Sequence, residues 1–239
     1  MPARKNAKPK KLHSLPRPRS INGLHYRPWY KVPDWYKIRG ISKHTFIEAI
    51  RPLYDIIEGK KPSKSELDPF AFLGWKAARK LSDEQFSIEE KVLQSYRAWT
   101  MAWGNFHQTL MGSHNGWENL ETGHESKLDI RRTDGTCYGE IKNQINTMNS
   151  GGKESVYGKL SKQVKLGRRA LLVIVNGTRN ERIENPASAD FGIEWITGRK
   201  FYEELSGRSS FFDDLLTTTE MCFTRFKTHS EMILSFTLK

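Results

Sequence analysis

The first half of the chain carries apolar residues at intervals of three and four positions. This spacing predicts helices, because it places the apolar side chains on one face. The predicted helices run from Ser42 to Ile57, from Ser65 to Leu81 and from Ser87 to Met111. Pro69 interrupts the second one early. The third is predicted to begin at Ser87 because Ser-Ile-Glu-Glu has the spacing of a capping box, with Glu90 at its third position.

The pattern changes to strand-like runs after Gly116. The runs Lys127 to Arg132 and Thr136 to Lys142 flank Asp134-Gly135, a dipeptide that favours the tight turn of a β-hairpin. Ala170 to Val175 is a short, continuous apolar run, which is typical of a strand buried on both faces.

The rest of the chain mixes helical and strand-like segments. We predict a helix from Glu154 to Lys165, a strand from Phe191 to Thr197, and helices from Lys200 to Leu205 and from Phe211 to Thr218. The last twenty residues carry no clear pattern. The order of these elements predicts a mixed α/β fold in which one crossover helix leads into a central strand.

Positive charge is concentrated at the N-terminus. The 239 residues include 39 Lys and Arg against 27 Asp and Glu, which gives a net charge of +12. Residues 1–19 hold seven of the basic residues and no acidic one, which leaves +5 for the rest. We therefore expect residues 1–20 to be a disordered basic arm, and a polyanion such as nucleic acid or anionic lipid to be the partner. No apolar run is long enough to span a bilayer, so no membrane association is expected.

The predicted hairpin has a register that follows from its turn. With a two-residue turn at Asp134-Gly135, Thr133 faces Thr136. Counting back along both strands, Asp129 then faces Glu140. Opposed side chains lie on the same face of a hairpin, with Cβ atoms about 4.5–5.5 Å apart. Alternation along the second strand adds Lys142 to the face that holds the two acids, and it turns apolar residues to the other face.

Two carboxylates and a lysine on one face of a sheet fit a divalent metal site. Opposed carboxylates repel each other unless a cation joins them, and carboxylate oxygens are ligands that Mg²⁺ prefers. We predict Asp129 and Glu140 as metal ligands. Lys142 would orient or deprotonate an attacking water, or stabilise the pentavalent phosphorus of a phosphodiester. The alternative is a surface hairpin with an ion-paired lysine, since the acid-X-Lys pattern is common in sequences.

A longer set of motifs resembles a known family. Asp129, a ten-residue interval and Glu140-Ile141-Lys142 on a hairpin, followed by a helix and a strand, are similar to the pattern of the PD-(D/E)XK nucleases. Further segments resemble the type II restriction endonucleases that cut palindromes of the GGNCC kind. The segments that carry this resemblance are Gly104–Gly112, Gly116-Trp117, Gly123–Glu125, Leu128–Ile130, Glu140–Asn143, Asn146–Ser150 and Gly198–Tyr202. The resemblance covers about residues 104–216, and the first hundred residues show no match to it.

This resemblance implies an architecture and an activity. The implied fold is an α/β, PD-(D/E)XK nuclease-like mixed central sheet flanked by helices, and we assign the catalytic core to residues 101–239. The helical patterns before it, which the resemblance does not cover, predict a mainly helical region over 21–100 packed on that core. The implied activity is that of a Mg²⁺-dependent endonuclease of double-stranded DNA. It would act as a homodimer in the bacterial cytoplasm, with each subunit cutting one strand.

The resemblance also assigns residues. Asp129 and Glu140 match the metal-binding acids of the family and Lys142 its catalytic lysine, although Leu128 stands where the superfamily name expects proline. Many relatives add an acid from the preceding helix, for which Glu118 and Glu121 are candidates; both could equally be solvated loop acids.

Polar and basic residues after the hairpin are candidates for DNA contact. Asn and Gln suit adenine edges, whereas Arg and Lys suit guanine or the phosphates. The candidates are Asn143, Gln144, Asn146, Asn149, Lys153, Lys159, Lys162, Gln163 and Arg179. The alternatives are a turn held by its own side-chain-to-backbone bonds and, for the lysines, a solvated helix face. His107 and His124 are expected to be structural rather than catalytic.

Two other functions are compatible with the sequence. A repair or junction-resolving nuclease of the same fold would cut structured DNA without needing a particular sequence. A non-catalytic nucleic-acid-binding protein would bind through the basic arm and the aromatic segment from Tyr26 to Ile38. This second alternative predicts that Asp129→Ala leaves every activity unchanged.

Overall fold

The computed structural model describes residues 33–60, 68–120, 123–144, 150–177 and 191–236. The helices in these ranges are α1 (Lys43–Ile57), α2 (Pro69–Arg79), α3 (Asp83–Gly112), α4 (Ser150–Lys165), α5 (Gly198–Ser206), α6 (Phe211–Arg225) and α7 (His229–Ser235). The strands are β1 (Trp117–Asn119), β2 (Ile130–Arg132), β3 (Cys137–Lys142), β4 (Arg169–Ile174) and β5 (Glu194–Thr197). The predicted basic arm over residues 1–20 lies outside the described residues.

The five strands form one mixed sheet in the order β1-β2-β3-β4-β5. β1, β2 and β3 pair antiparallel, whereas β3, β4 and β5 pair parallel. The helix α4 connects β3 to β4, as expected of a crossover between parallel strands. The predicted mixed α/β fold, with its central sheet and flanking helices, is confirmed.

The register of the β2–β3 hairpin is the one that the sequence predicts. Ile130 pairs with Gly139, and Arg131 pairs with Tyr138. The turn, however, is longer than predicted. β2 ends at Arg132 and β3 begins at Cys137. Thr133 donates its N–H at 3.0 Å to the backbone O of Gly116, which directly precedes β1. Gly135 adopts the left-handed region, with φ +72°, and its N–H donates to Arg132 O.

Two helix starts differ from the predictions. α3 begins at Asp83 rather than near Ser87, because Ser82 and Gln85 form a reciprocal capping box one turn earlier. Pro69 does not interrupt α2 but is its first residue, where a missing N–H costs nothing, and the Asp68 side chain caps the helix. The prediction for α1 is confirmed, with Ser42 accepting a hydrogen bond from the N–H of Thr45.

Both faces of the sheet are covered. Along β4 and the residue after it, Leu171, Val173 and Val175 face a core built with α1, α3, α5, α6 and α7. Ala170, Leu172 and Ile174 face a smaller core with α4. This alternation buries β4 on both sides, as its continuous apolar sequence predicts.

The helical region before residue 101 packs directly on the core of the sheet. Phe46 of α1 and Phe106 of α3 meet edge to face, with ring centroids 6.0 Å apart. The predicted division between residues 100 and 101 falls inside α3, which runs unbroken across it. Among the helices that the structure describes, none is both long enough and apolar enough to cross a membrane.

Candidate active site

The acidic pair is built by the first residues of β2 and the last residues of β3. Asp129 directly precedes β2, and its N–H donates to Gly139 O at 3.1 Å. Its carboxylate Oδ2 accepts from the N–H of Ile141 at 2.7 Å. Two backbone contacts therefore fix Asp129 against β3, on which Glu140 and Lys142 share one face by alternation.

Glu140 is buried but only half satisfied. Its side chain is 3% exposed, and Oε1 accepts a hydrogen bond from Lys142 Nζ at 2.7 Å. Lys159, which reaches in from α4, places its Nζ 3.7 Å from the same oxygen. The other oxygen, Oε2, is buried and has no hydrogen-bond partner among the described residues. A buried carboxylate oxygen without a partner is costly, and a bound cation would remove that cost.

The protein environment also disfavours the charged form of Asp129. Burial raises its pKa to about 6, and the negative charge of Glu140 adds to the rise. The hydrogen bond from Ile141 and the charges of Lys142 and Lys159 act in the opposite direction without cancelling it. The two lysines therefore do not restore the ordinary pKa of Asp129, whose burial is the largest cause of the shift.

The donor set fits a hard divalent cation with an open coordination sphere. Asp129 and Glu140 supply carboxylate oxygens, which Mg²⁺ prefers. Within the described ranges, no three His, Cys, Asp or Glu side chains are grouped as in a complete protein ligand set. Such a site leaves coordination positions for water and for a substrate oxygen, which suits catalysis better than a purely structural role.

One of the candidate third acids, Glu118, has an ion-pair partner within the sheet. Glu118 lies on β1 opposite Arg131 of β2. Its Oε1 accepts a hydrogen bond from Arg131 Nε at 2.6 Å, so its charge is balanced within the sheet. Glu121 lies outside the described residues.

Asn143 lies at the edge of the sheet where β3 and β4 end. Its backbone O accepts from the N–H of Asn176 at 3.0 Å, and its side-chain Oδ1 accepts from Asn176 Nδ2 at 3.1 Å. Gln144 follows and is exposed. This double contact clamps together the two segments that leave β3 and β4, directly beyond Lys142.

The other predicted DNA contacts fall on α4 or outside the described residues. Lys153 and Lys162 are exposed on α4. Gln163 is buried, and its Oε1 accepts a hydrogen bond from Arg168 at 2.8 Å, so its amide is engaged inside the protein. Asn146, Asn149 and Arg179 lie outside the described residues.

Both histidines have structural contacts, as expected. His107 is buried on α3, and its Nδ1 lies 3.0 Å from the hydroxyl of Tyr202. Burial lowers the pKa of His107 to about 3, which keeps it neutral. His124 Nδ1 accepts from the N–H of Ser126 and lies 2.8 Å from its hydroxyl, which holds the turn before Asp129.

Two residues near the acidic pair, Lys159 of α4 and Asn176 after β4, make contacts that the sequence did not indicate. Lys159 was a candidate for phosphate contact, but the structure places it against Glu140. Asn176 was not singled out at all. In the sequence, the only indication of a role for Asn176 is its position shortly after a buried strand. Its contact with Asn143 could not be predicted, because it depends on the parallel register of β3 and β4.

The sheet and its acidic pair define the class of the protein. A mixed sheet with flanking helices, whose central hairpin carries Asp129, Glu140 and Lys142, is the architecture of a restriction-endonuclease-like nuclease fold. Residues 41–222 match the family model described as Eco47II restriction endonuclease, so the chain belongs to that family. The match begins at α1 and thus includes helices for which the sequence motifs gave no resemblance.

A curated relative agrees with the family. The chain is similar to the type II restriction enzyme Sau96I of Staphylococcus aureus, with 27% identity over 127 residues. This alignment covers 50% of the present chain and 48% of the relative. The chain therefore spans about half the length of that relative.

Proposed function

We propose that the protein is a Mg²⁺-dependent type II restriction endonuclease that hydrolyses phosphodiester bonds in double-stranded DNA at a short palindromic site. The observation that carries this proposal is the buried, unpartnered Oε2 of Glu140 beside Asp129, whose pKa is raised. An acidic pair of this kind favours a cation and disfavours a purely structural ion pair. Membership of a restriction endonuclease family supports the same activity.

Asp129 and Glu140 would hold the metal ion. When bound, Mg²⁺ polarises the scissile phosphate and lowers the pKa of coordinated water. The two residues contribute differently, because Asp129 is fixed by two backbone contacts whereas Glu140 has one free buried oxygen. Asp129 must be ionised to act as a ligand, so the site favours binding above about pH 6.

Lys142 would act on the attacking water. Its ammonium group already lies at the acidic pair, 2.7 Å from Glu140 Oε1, where it can orient the water and stabilise the charge of the pentavalent phosphorus. In the reaction, the attacking water gives up a proton to the surrounding solvent as its oxygen bonds to phosphorus in line with the leaving 3′ oxygen. The P–O3′ bond then breaks, the 3′ oxygen takes up a proton, and the DNA end keeps its 5′-phosphate.

The substrate is proposed from charge and from sequence resemblance. The net charge of +12 favours a polyanion such as DNA. The motifs described above resemble enzymes that cut GGNCC-type palindromes, and we extend that site class to this chain. Asn143 and Gln144 directly follow the catalytic lysine and are the described candidates for base contact. A palindromic site calls for a homodimer, with each subunit cutting one strand, and the bacterial relative suggests a cytoplasmic enzyme.

The first test is cleavage of a long, sequenced, unmethylated DNA with Mg²⁺, followed by sequencing of the fragment ends. Discrete fragments that share one palindrome are expected, and the ends would give the site and the stagger. The matched control is the Glu140→Gln protein, which should bind DNA without cutting it.

Other outcomes of that experiment select the alternatives. A smear, or cutting confined to branched DNA, would replace the proposal with a repair or junction-resolving nuclease. No cutting with Mg²⁺ or Mn²⁺, combined with tight and salt-sensitive binding, would indicate a non-catalytic DNA-binding protein.

A further inference from the structure

Exposed apolar side chains are concentrated on α2 and α3. Of the twelve large hydrophobic residues that are exposed in the described structure, eight lie on these two helices. No residue of α2 is buried, and the first buried residue of α3 is Ala102, nineteen positions after the helix begins. The N-terminal part of α3 therefore extends beyond the core while keeping the composition of a packed helix.

Three of these residues form a continuous stripe. Ile88, Val92 and Tyr96 are spaced four residues apart, so they lie on one face of α3, and they are 57%, 61% and 62% exposed. We call these three residues the α3 stripe. The same face continues toward the C-terminus with Trp99 and Trp103, which pack against the main core. The stripe is thus the uncovered extension of a core-facing surface.

The helix α2 does not cover the stripe. It packs on a different face of α3 through Phe72 and Phe86, whose ring centroids are 4.2 Å apart. Glu89 of α3 accepts hydrogen bonds from Trp75 Nε1 and Arg79 Nη1, each at 2.9 Å. These contacts hold α2 and α3 as a hairpin and leave the side chains of the stripe exposed.

We propose that the α3 stripe is the interface of a homodimer, in which it packs antiparallel against the same stripe of a second copy. A two-fold axis makes the contact self-complementary, and it places Val92 opposite Val92 at the centre, with Ile88 opposite Tyr96 on either side. The proposal names the surface used by the dimer that the proposed function requires, and in that sense it rests on that function.

The area of the stripe suits this role. Leu216 of α6 is also exposed and adjoins Tyr96 across a shared cavity of about 270 Å³. At their observed exposures, these four side chains present roughly 400 Å² of mostly apolar surface. That area is close to the apolar part of the ~800 Å² that each partner buries in a typical stable dimer.

The composition of the stripe favours a second copy over DNA. DNA backbones are bound by Lys, Arg and polar donors, whereas Ile88, Val92 and Tyr96 carry no charge. Two chains with a charge of +12 each repel one another, so self-association needs an uncharged contact surface. The stripe supplies such a surface.

The first experiment measures molar mass by light scattering after size-exclusion chromatography, without DNA and without Mg²⁺. The wild-type protein is expected to have about twice the 27.7 kDa mass of one chain. Val92→Glu should shift the protein to the mass of one chain, because two introduced carboxylates would meet at the two-fold axis. Leu166→Glu is the matched control, since Leu166 is also an exposed apolar residue, 64% accessible, but lies beyond α4. It should remain dimeric.

The second experiment tests the register by cross-linking. Val92→Cys should form a covalent dimer on mild oxidation, because residues at a two-fold axis come within disulfide distance. Leu166→Cys should not. The native thiols of Cys137 and Cys222 are buried and do not interfere.

The outcomes separate this proposal from the proposed function. A wild-type protein that stays monomeric, or a Val92→Glu protein that stays dimeric, would overturn the assignment of the interface. A dimer that behaves as expected but cuts no DNA would leave the interface in place and refute the endonuclease. If both hold, the monomeric Val92→Glu protein should lose concerted double-strand cleavage at least about tenfold relative to Leu166→Glu.

Discussion

The acidic edge of β3 and the aromatic core around α3 both bury ionisable groups, but the two regions differ in whether these groups find hydrogen-bond partners within the protein. In the core, His107 meets the hydroxyl of Tyr202 at 3.0 Å, and the Tyr54 hydroxyl donates to Cys222 O at 2.9 Å. Each contact joins neutral groups within the protein. At the acidic edge, Glu140 keeps a buried oxygen without a partner among the described residues.

The difference separates stability from function. Burial lowers the pKa of His107 and raises that of Tyr202, so both stay neutral and their contact stabilises the fold. Burial and repulsion from Glu140 also raise the pKa of Asp129, while Glu140 itself keeps one buried oxygen that has no hydrogen-bond partner among the described residues. Polar groups that are satisfied stabilise the fold, whereas the unpartnered carboxylate oxygen of Glu140, beside a second carboxylate, is where we propose that a cation binds.

The largest expected effect is on cleavage when Glu140 is neutralised. Glu140→Gln should reduce the rate of DNA cleavage by at least about 10³-fold, because it removes a proposed metal ligand while keeping the shape of the side chain. Quantitative gel assays with a defined DNA site would measure this. Glu118→Gln is the control, since Glu118 pairs with Arg131 and does not form a three-residue ligand group with Asp129 and Glu140 in the described structure, and it should keep near-normal activity. Equal losses in both variants would contradict the site.

Removing Lys142, the proposed catalytic lysine, should have the next largest effect. Lys142→Met should lower the single-turnover cleavage rate about 10²–10³-fold while DNA binding persists, because proton transfer and charge stabilisation are lost. Lys162→Met changes an exposed lysine on α4 and should alter the rate much less. Cleavage that is unaffected by Lys142→Met would remove this residue from the reaction.

The core should respond in stability rather than in activity. Tyr202→Phe leaves His107 buried without its hydroxyl partner, which should cost about 1–3 kcal/mol in the free energy of unfolding. Urea denaturation would measure the loss, and cleavage per folded molecule should not change. A large loss of cleavage at unchanged stability would show that the two regions are not independent.

The smallest expected effect is the dependence of metal affinity on pH. Because the folded protein raises the pKa of Asp129 to about 6, above its unfolded value, the metal-free protein loses stability as the pH rises from about 4 to 6. Metal binding needs the ionised carboxylate, so Ca²⁺ affinity measured by calorimetry should rise about tenfold from pH 5 to pH 7. In Asp129→Asn, the residual affinity should be weaker and much less dependent on pH.

The sequence predicted the local parts of the site better than the nonlocal ones. The hairpin register followed from one dipeptide and from alternation, and the structure confirms it for Ile130 and Gly139. The predicted start of α3 was wrong because Ser82–Gln85 and Ser87–Glu90 both have the spacing of a capping box. Only the structure shows that Ser82 and Gln85 form it. The contact of Lys159 with Glu140 was not predictable, because it depends on how α4 packs against β3.

Strand β1 is a second element that could not be predicted from local sequence. It has three residues, which is too short for an alternating pattern to be recognised, and its partner β2 supplies the ladder that defines it. Its presence explains why Glu118, a candidate metal ligand in the sequence, is instead paired with Arg131.

The clamp between Asn143 and Asn176 has a consequence for how such an enzyme diversifies. The chain continues from Gln144 and from Gly177 at a point tied together by two hydrogen bonds and placed directly beyond Lys142. If the proposed base contacts lie farther along either segment, substitutions, insertions or deletions there would change which bases are contacted while the clamp keeps both starting points in place. Under the proposed function, new sequence preferences would then evolve without a change in the reaction centre, and the cut would keep a constant offset from the residues that contact the DNA next to it.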